Sequence, residues 1–387
     1  MKKVISISTD RNIFKEDSAV RVRQAEYGAL FEELHIIVFT KTSAYLPKKV
    51  QIAPNTWVYG THSVAKLFHI SRAEKIAGSI IVDRKMSSGN SVVTVQDPFE
   101  TGLVGARLKK KFGLPLHVQI HTDFLSPHFS RQFFLNSFRV RMAKKLLPQA
   151  DAVRVVSKKI ADSLSVSAEV KLKPGIVPTV LPIFVDINKF ENSPATLDLK
   201  KKYSQFNFII LTASRLTTEK NIPLALEVFT KLVAIYPQIG LVIVGSGPEE
   251  VNLKWAAKQL GVEKSVIFEA WQNDLFSYYK TADLFLLTSN YEGYGLTLVE
   301  AVASRCPVVS TDVGIASELF DIAESSKNGS VCPIGGSECL FKSISQFIQN
   351  PDIRDKSVNE SLGRLDRVLI SDKSTYLKRY RESLENI

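Results

Sequence analysis

Short apolar runs recur along the chain, each closed by turn residues and followed by a stretch with apolar spacing of three and four. Val4–Ser8, His35–Thr40, Ser91–Val95, Leu116–Ile120 and Ala152–Val156 read as strands in the first half. Phe208–Ala213, Leu241–Val244, Val266–Phe268, Leu284–Leu287, Pro307–Thr311 and Gly329–Cys332 read as strands in the second. Their nearly unbroken apolarity fits strands covered on both faces, as in a parallel sheet. Between them the spacing predicts helices over Ala19–Leu34, from Thr101, over Arg131–Leu147, over Leu296–Ala303 and over Glu338–Ile348. Within Arg131–Leu147, Leu135, Phe138, Met142 and Leu146 form a stripe that reads as core. Strand and helix alternate throughout, which is the pattern of an α/β chain.

A chain of 387 residues exceeds a single hydrophobic core. It divides into a domain over 1–190, a second over 191–371, and a terminal helix over 372–387. Segment 187–205, which carries Pro and Ser, reads as the linker. Hydrophobic residues make up 45% and charged residues 23%, ordinary for a globular protein. The apolar run after Met1-Lys2-Lys3 breaks at Asp10-Arg11, too soon for a signal peptide, and no run has transmembrane length. Cys306, Cys332 and Cys339 lack metal-ligand spacing and read as free thiols in a reducing cytoplasm.

Charge changes this picture. Residues 1–190 hold 29 Lys and Arg against 15 Asp and Glu, so they carry +14 of a total of +11, and the remainder carries −3. A basic first half points to an anionic partner such as membrane lipid or a phosphorylated acceptor. No nucleic-acid-binding motif accompanies it, so nucleic acid is not expected as a partner.

The densest chemistry lies in Ser289–Glu318. Glu292-Gly293-Tyr294-Gly295 follows a buried strand, and its glycines let backbone approach a ligand closely. Helix Leu296–Ala303 begins at once, so its free N–H groups, with Leu296 and Thr297 among them, favour phosphate there. Glu292 and Glu300 frame the turn, about two helical turns apart. Pro307-Val308-Val309 and Asp312-Val313-Gly314 complete a strand–helix–strand unit.

This stretch resembles the Glu-x7-Glu signature of retaining nucleotide-sugar glycosyltransferases of the family-4 type. The resemblance implies the GT-B fold, two Rossmann-like parallel-sheet domains facing across a cleft, with the terminal helix crossing back onto the first domain through Tyr376, Leu377, Tyr380 and Leu384. Ser214-Arg215-Leu216-Thr217-Thr218-Glu219-Lys220-Asn221 is similar to that family's Gly-Arg-Leu-x-x-x-Lys-Asn loop, with Ser214 in place of Gly. Gly245-Ser246-Gly247-Pro248 keeps its register. Ala270-Trp271 occupies the position that commonly receives the base, although Trp271 also reads as a core aromatic. In the first half the resemblance is weaker. His121, at the end of a strand, takes the position beside the donor sugar, ahead of His117. The usual Gly-Gly pair is missing between Asp10 and Ser18, which leaves Arg11, Arg21 and Arg23 for acceptor recognition. Arg305 stands where the family usually has Gly.

The resemblance implies a retaining, metal-independent hexosyltransferase that moves a sugar from a nucleoside diphosphate sugar to an acceptor hydroxyl in cell-surface glycan or glycolipid synthesis. The catalytic residues would be His121, Glu292, Arg215 and Lys220. The donor would be held by Gly293, Tyr294, Gly295, Leu296, Thr297, Glu300, Ser214 and Trp271. No metal and no cofactor are implied beyond the donor itself. The acceptor would be lipid-linked or a growing glycan, and the protein cytoplasmic and peripheral at the inner membrane face. An epimerase or hydrolase of the same fold, or a donor-binding protein without turnover, are the competing expectations.

Overall fold

The computed structural model describes residues 1–42, 46–320 and 330–387. The chain forms two compact units. One comprises Met1–Leu125, Phe133–Leu181 and Ser374–Ile387, the other Ser126–Gln132 and Pro182–Lys373. Both are mostly parallel sheets flanked by helices, the α/β class that the alternating pattern predicts.

The first unit holds strands β1 (Lys3–Ser8), β2 (Glu33–Val38), β3 (Lys49–Ala53), β4 (Thr56–Gly60), β5 (Ser91–Val95), β6 (Leu116–Ile120), β7 (Ala152–Val155) and β8 (Thr179–Val180). They lie in the order β3-β4-β2-β1-β5-β6-β7-β8. All pairs are parallel except β3 with β4. Ile5, Ile7, Val93, Val95 and Val118 are fully enclosed, because helices cover both faces. Helix Lys373–Glu385 packs on this unit through Tyr376, Tyr380 and Leu384, which are buried, while Leu377 is half-buried. The Tyr27 and Tyr376 hydroxyls lie 3.0 Å apart, and the Tyr27 and Tyr380 rings stack at 4.2 Å. Arg154, buried on β7, donates to Tyr376 and to Gln119 on β6.

The second unit holds β9 (Phe208–Ala213), β10 (Ile239–Val244), β11 (Val266–Glu269), β12 (Leu284–Leu287), β13 (Val308–Thr311) and β14 (Val331–Cys332). Their order is β11-β10-β9-β12-β13-β14, parallel throughout. The strand order reverses between β9 and β12, so the loops leaving these two strands diverge around a crevice at the C-terminal edge. One core, built from Ile210, Leu226, Phe229, Ile243, Leu286 and Phe347, fixes the strands beneath those loops.

Several expectations are corrected. The first helix ends at Gly28, not Leu34. The Asn55 amide donates to the carbonyls of Gly28 and Phe31, and a Cβ at Gly28 would fall 1.8 Å from Thr56 Oγ1. The single helix expected over Arg131–Leu147 is two, Pro127–Gln132 and Phe134–Leu146, parted at Phe133, whose backbone is extended. Its expected core stripe holds only at the C-terminal end: Leu146 is buried and Met142 half-buried, but Leu135 is 63% and Phe138 47% exposed, while Asn136 and Ala143 face inward. Segment 187–205 is no bare linker. It carries helices Ile187–Asn192 and Leu199–Lys202, tied down by Thr196 N–H to Ser277 Oγ and Leu199 N–H to Thr281 Oγ1. Cys332 and Cys339 are joined in a disulfide across seven residues, against the free-thiol expectation; Cys306 is the buried thiol. Gly329, expected in the last strand, lies outside the described residues.

Candidate functional site

The loop leaving β9 is organised by Glu219. Its carboxylate accepts hydrogen bonds from Thr217 Oγ1 (2.6 Å), Arg215 Nη2 (3.2 Å) and Gln132 Nε2 (2.9 Å). Burial would raise its pKa, but the Thr217 hydrogen bond, the Arg215 charge and Gln132 together hold it below the usual carboxylate range. Arg215, paired with Glu219, keeps its side chain 74% exposed. Lys220, by contrast, is turned inward and 13% exposed. The turn that separates them relies on Asn221, which takes a left-handed conformation at φ 47° before helix Ile222–Val233. Asn tolerates that region better than most residues.

The loop leaving β12 is stitched to the first by side chains. Thr288 Oγ1 donates to the carbonyls of Lys220 and Asn221, and Asn290 N–H to the carbonyl of Glu219. Lys220 Nζ reaches Glu292 Oε1 at 2.5 Å, and Ser289 Oγ donates to the same oxygen at 2.8 Å. An ammonium, a hydroxyl and a carboxylate thus meet at the reversal of strand order. Gln132, 87 residues before Glu219, joins them by also bonding Thr218 Oγ1 and the Tyr291 hydroxyl.

Gly295 has φ 90° and opens helix Leu296–Ala303, whose first N–H groups receive no side-chain cap among the described residues. Gly293 and Tyr294 are buried, Leu296 is exposed and Thr297 half-buried. Gly314 closes the turn from behind: a Cβ there would meet the Tyr294 carbonyl at 2.3 Å, and Ile315 N–H donates to that carbonyl. Two turns on, Glu300 accepts from the buried Tyr279 hydroxyl at 3.1 Å. Burial pushes the Glu300 carboxyl up to about 7, opposed by that hydrogen bond and by the Lys189 charge.

The structure therefore brings Arg215, Lys220, Glu292 and the Gly293–Thr297 turn to one edge of the second unit, with Glu300 on the same helix. Ser214 is buried and bonds its neighbour's carbonyl, Arg215 O. A side chain on Gly245 or Gly247 would strike Ser214 O at 1.9 Å or Leu216 O at 2.2 Å, so the Gly-x-Gly lets the β10 loop pass close beneath this one. Trp271 is 49% exposed and not the core aromatic expected. His121 belongs to the first unit, at the exit of β6. Burial, with the charges of Arg154 and Arg23, pushes its pKa down to about 3, and its buried Nε2 has no hydrogen-bond partner among the described residues. His117 is enclosed in the sheet, with Nδ1 2.9 Å from Thr94 Oγ1. Sequence reasoning missed Gln132, Tyr279 and Tyr291. Tyr291 at least lies inside the motif stretch; Gln132 and Tyr279 carry no local signal.

In place of the missing Gly-Gly pair, a short 3-10 turn spans Arg11–Phe14 and buries Ile13. Arg11 Nε donates to the Phe39 carbonyl, Arg21 is half-buried and Arg23 is exposed. Among the described residues, no three His, Cys, Asp or Glu side chains gather as a metal site.

Residues 198–362 match the family described as glycosyl transferases group 1. That region contains both loops of the site. The chain is 35% identical over 162 residues to an uncharacterized glycosyltransferase of Haemophilus influenzae, covering 42% of this chain and 45% of that one. It is 28% identical over 284 residues to alpha-monoglucosyldiacylglycerol synthase of Streptococcus pneumoniae, covering 70% and 62%. The chain thus spans about half to two-thirds of the length of these relatives. Among solved structures, sucrose-phosphate synthase of Thermosynechococcus elongatus superposes with a TM-score of 0.77 at 17% identity, over 98% of this chain and 97% of that one. Anabaena HepE in complex with UDP and glucose superposes at 0.75 and 19%, over the whole of both. The fold is the two-domain Rossmann-like GT-B fold.

Proposed function

We propose that this chain, whose residues 198–362 match the glycosyl transferases group 1 family, is a retaining glycosyltransferase that moves a sugar from a nucleoside diphosphate sugar to an acceptor hydroxyl. The observation that carries the reading is the meeting of Lys220, Glu292 and the uncapped helix start at Gly295 where the strand order of the second unit reverses. As the bond from sugar to diphosphate loosens, negative charge grows on the leaving group. Arg215, Lys220 and the N–H groups of Leu296 and Thr297 are preorganised to receive it, which lowers the barrier without a metal ion. Glu292, Gly293 and Tyr294 flank the sugar, and Glu300 accepts from the ribose hydroxyls. Ser214 and Trp271 line the nucleotide end. His121, neutral at pH 7, would act through hydrogen bonding rather than charge.

The related monoglucosyldiacylglycerol synthases and the basic first half support a lipid-linked acceptor in glycan or glycolipid synthesis at the inner face of an anionic membrane. No helix among the described residues is long and apolar enough to cross a membrane. The competing reading is an epimerase or hydrolase of the same fold, or a donor binder without turnover.

The test is a thermal-shift panel of UDP-, GDP- and ADP-sugars, followed by product analysis with a glycerolipid acceptor. A fitting donor at 100 times its Kd stabilises by about 2.7 kcal/mol. The expected product keeps the anomeric configuration of the donor sugar. An altered sugar nucleotide without acceptor would establish the epimerase, and no shift with any donor would overturn both.

A further inference from the structure

The first turn of helix Phe134–Leu146 is apolar on its outside. Phe134 is 79%, Leu135 63% and Phe138 47% exposed, and Phe133 before them 57%. The inward face is led by Asn136, buried and hydrogen-bonded to Arg139, which in turn pairs with Glu100. Those bonds hold the helix with its aromatic side to solvent. Phe134 and Phe138 meet edge to face at 5.1 Å, so the two rings form a prearranged wedge. Monomeric surfaces rarely leave so many large apolar groups together without a use.

The charge around the wedge indicates the partner. The helix carries Arg139, Arg141, Lys144 and Lys145 and no acidic residue. Arg139 and Lys144 are engaged by Glu100 and Glu169. Arg141 instead lies over the Phe138 ring at 5.8 Å, and Lys145 is exposed. Aromatic rings bordered by cations suit the boundary between lipid headgroups and acyl chains. A second apolar pair, Leu67 and Phe68, 81% and 46% exposed beside Lys66, follows β4. β4 and β6 run parallel within the same sheet, so residues after β4 leave at its C-terminal edge. Helix Phe134–Leu146 runs back from that edge toward the start of β7, which puts its first turn at the same edge.

We infer that this edge of the first unit is a docking surface for an anionic bilayer, with Phe134 and Phe138 inserted at the headgroup boundary and Arg141 and Lys145 on anionic lipid. The inference deepens the lipid-acceptor reading and rests on it for its purpose, while the binding itself is measurable without turnover.

The experiment is co-sedimentation of the full chain with vesicles of phosphatidylcholine alone or with phosphatidylglycerol, over a salt series. The expected result is binding to the anionic vesicles that weakens with salt. The double variant Phe134→Ser/Phe138→Ser should lower the partition coefficient at least tenfold, and Arg141→Glu/Lys145→Glu should remove the preference for phosphatidylglycerol. Thermal unfolding and the nucleotide-induced shift of both variants should match the parent. That control separates this surface from the donor site, since a parent without any nucleotide shift fails there alone. Equal recovery in the supernatant with both vesicles would overturn the inference. So would wild-type binding by the Phe134→Ser/Phe138→Ser variant, or a concentration-dependent dimer that the same variant abolishes in the absence of lipid binding, which would make the wedge a protein interface.

Discussion

Lys220 Nζ stands 2.5 Å from Glu292 Oε1, with both side chains largely enclosed and 72 residues between them in the chain. The pair joins the loops of β9 and β12 and holds opposite charges where sugar and diphosphate are proposed to part. Removing one partner leaves the other charged and poorly solvated, which is costlier than removing both. Lys220→Met should therefore destabilise by about 3 kcal/mol. Adding Glu292→Gln to that variant should restore more than half of the loss. Urea unfolding of the parent, both single variants and the double variant measures this; additive effects would show that the two side chains are not coupled.

Arg215 presents the opposite case. Its ion pair with Glu219 stands on an exposed side chain, so the pair contributes at most about 0.5 kcal/mol. Arg215→Ala should leave the unfolding midpoint nearly unchanged while weakening nucleoside diphosphate binding by about tenfold to a hundredfold, as a lost charged hydrogen bond would. Turnover should fall by at least as much, because the interaction strengthens as charge develops. Calorimetry with the bare diphosphate beside rates with the full donor checks both. Parent affinity in the variant would remove Arg215 from the site.

Glu300 ties stability to pH. Burial raises its carboxyl from 4.5 to about 7 in the folded chain. Below about pH 4.5 the group is protonated in both states and contributes nothing. Between there and pH 7 the unfolded chain ionises first, so stability is lost as pH rises, by up to about 3 kcal/mol. Glu300→Gln keeps an acceptor for Tyr279 and cannot ionise. It should be more stable than the parent at pH 8 and equal to it near pH 4. Parallel pH profiles for the two would contradict the shift.

Arg305 occupies the left-handed position after helix Leu296–Ala303, at φ 60°. Cys306 N–H bonds Ala301 O and Arg305 N–H bonds Val302 O, the pairing of a Schellman motif in which glycine is favoured. The side chain is exposed. Arg305→Gly should relieve the strain and stabilise by about 1 kcal/mol, less the added freedom of the unfolded chain. A lower melting temperature in the variant would mean that the guanidinium makes a compensating contact.

Much of the fold was legible because it depends on neighbours in the chain. Ser91–Val95, Leu116–Ile120, Phe208–Ala213 and Leu284–Leu287 are strands with the boundaries their sequence predicts, since a strand covered on both faces is mostly apolar and its few polar side chains, such as His117 and Gln119, find buried partners. Helix Leu296–Ala303 and the two loops around it were legible for the same reason: glycines, acids and bases stand at short fixed spacings. Other features depend on residues that meet only after folding. Asn55 ends the first helix at Gly28, and Gln132 braces Glu219 from 87 positions away. Arg139 and Glu100 turn helix Phe134–Leu146 so that Leu135 and Phe138 face outward, while Leu146, spaced with them as one stripe, is buried. Periodicity reports that a helix has an apolar side, but which side is buried depends on what the rest of the chain brings against it.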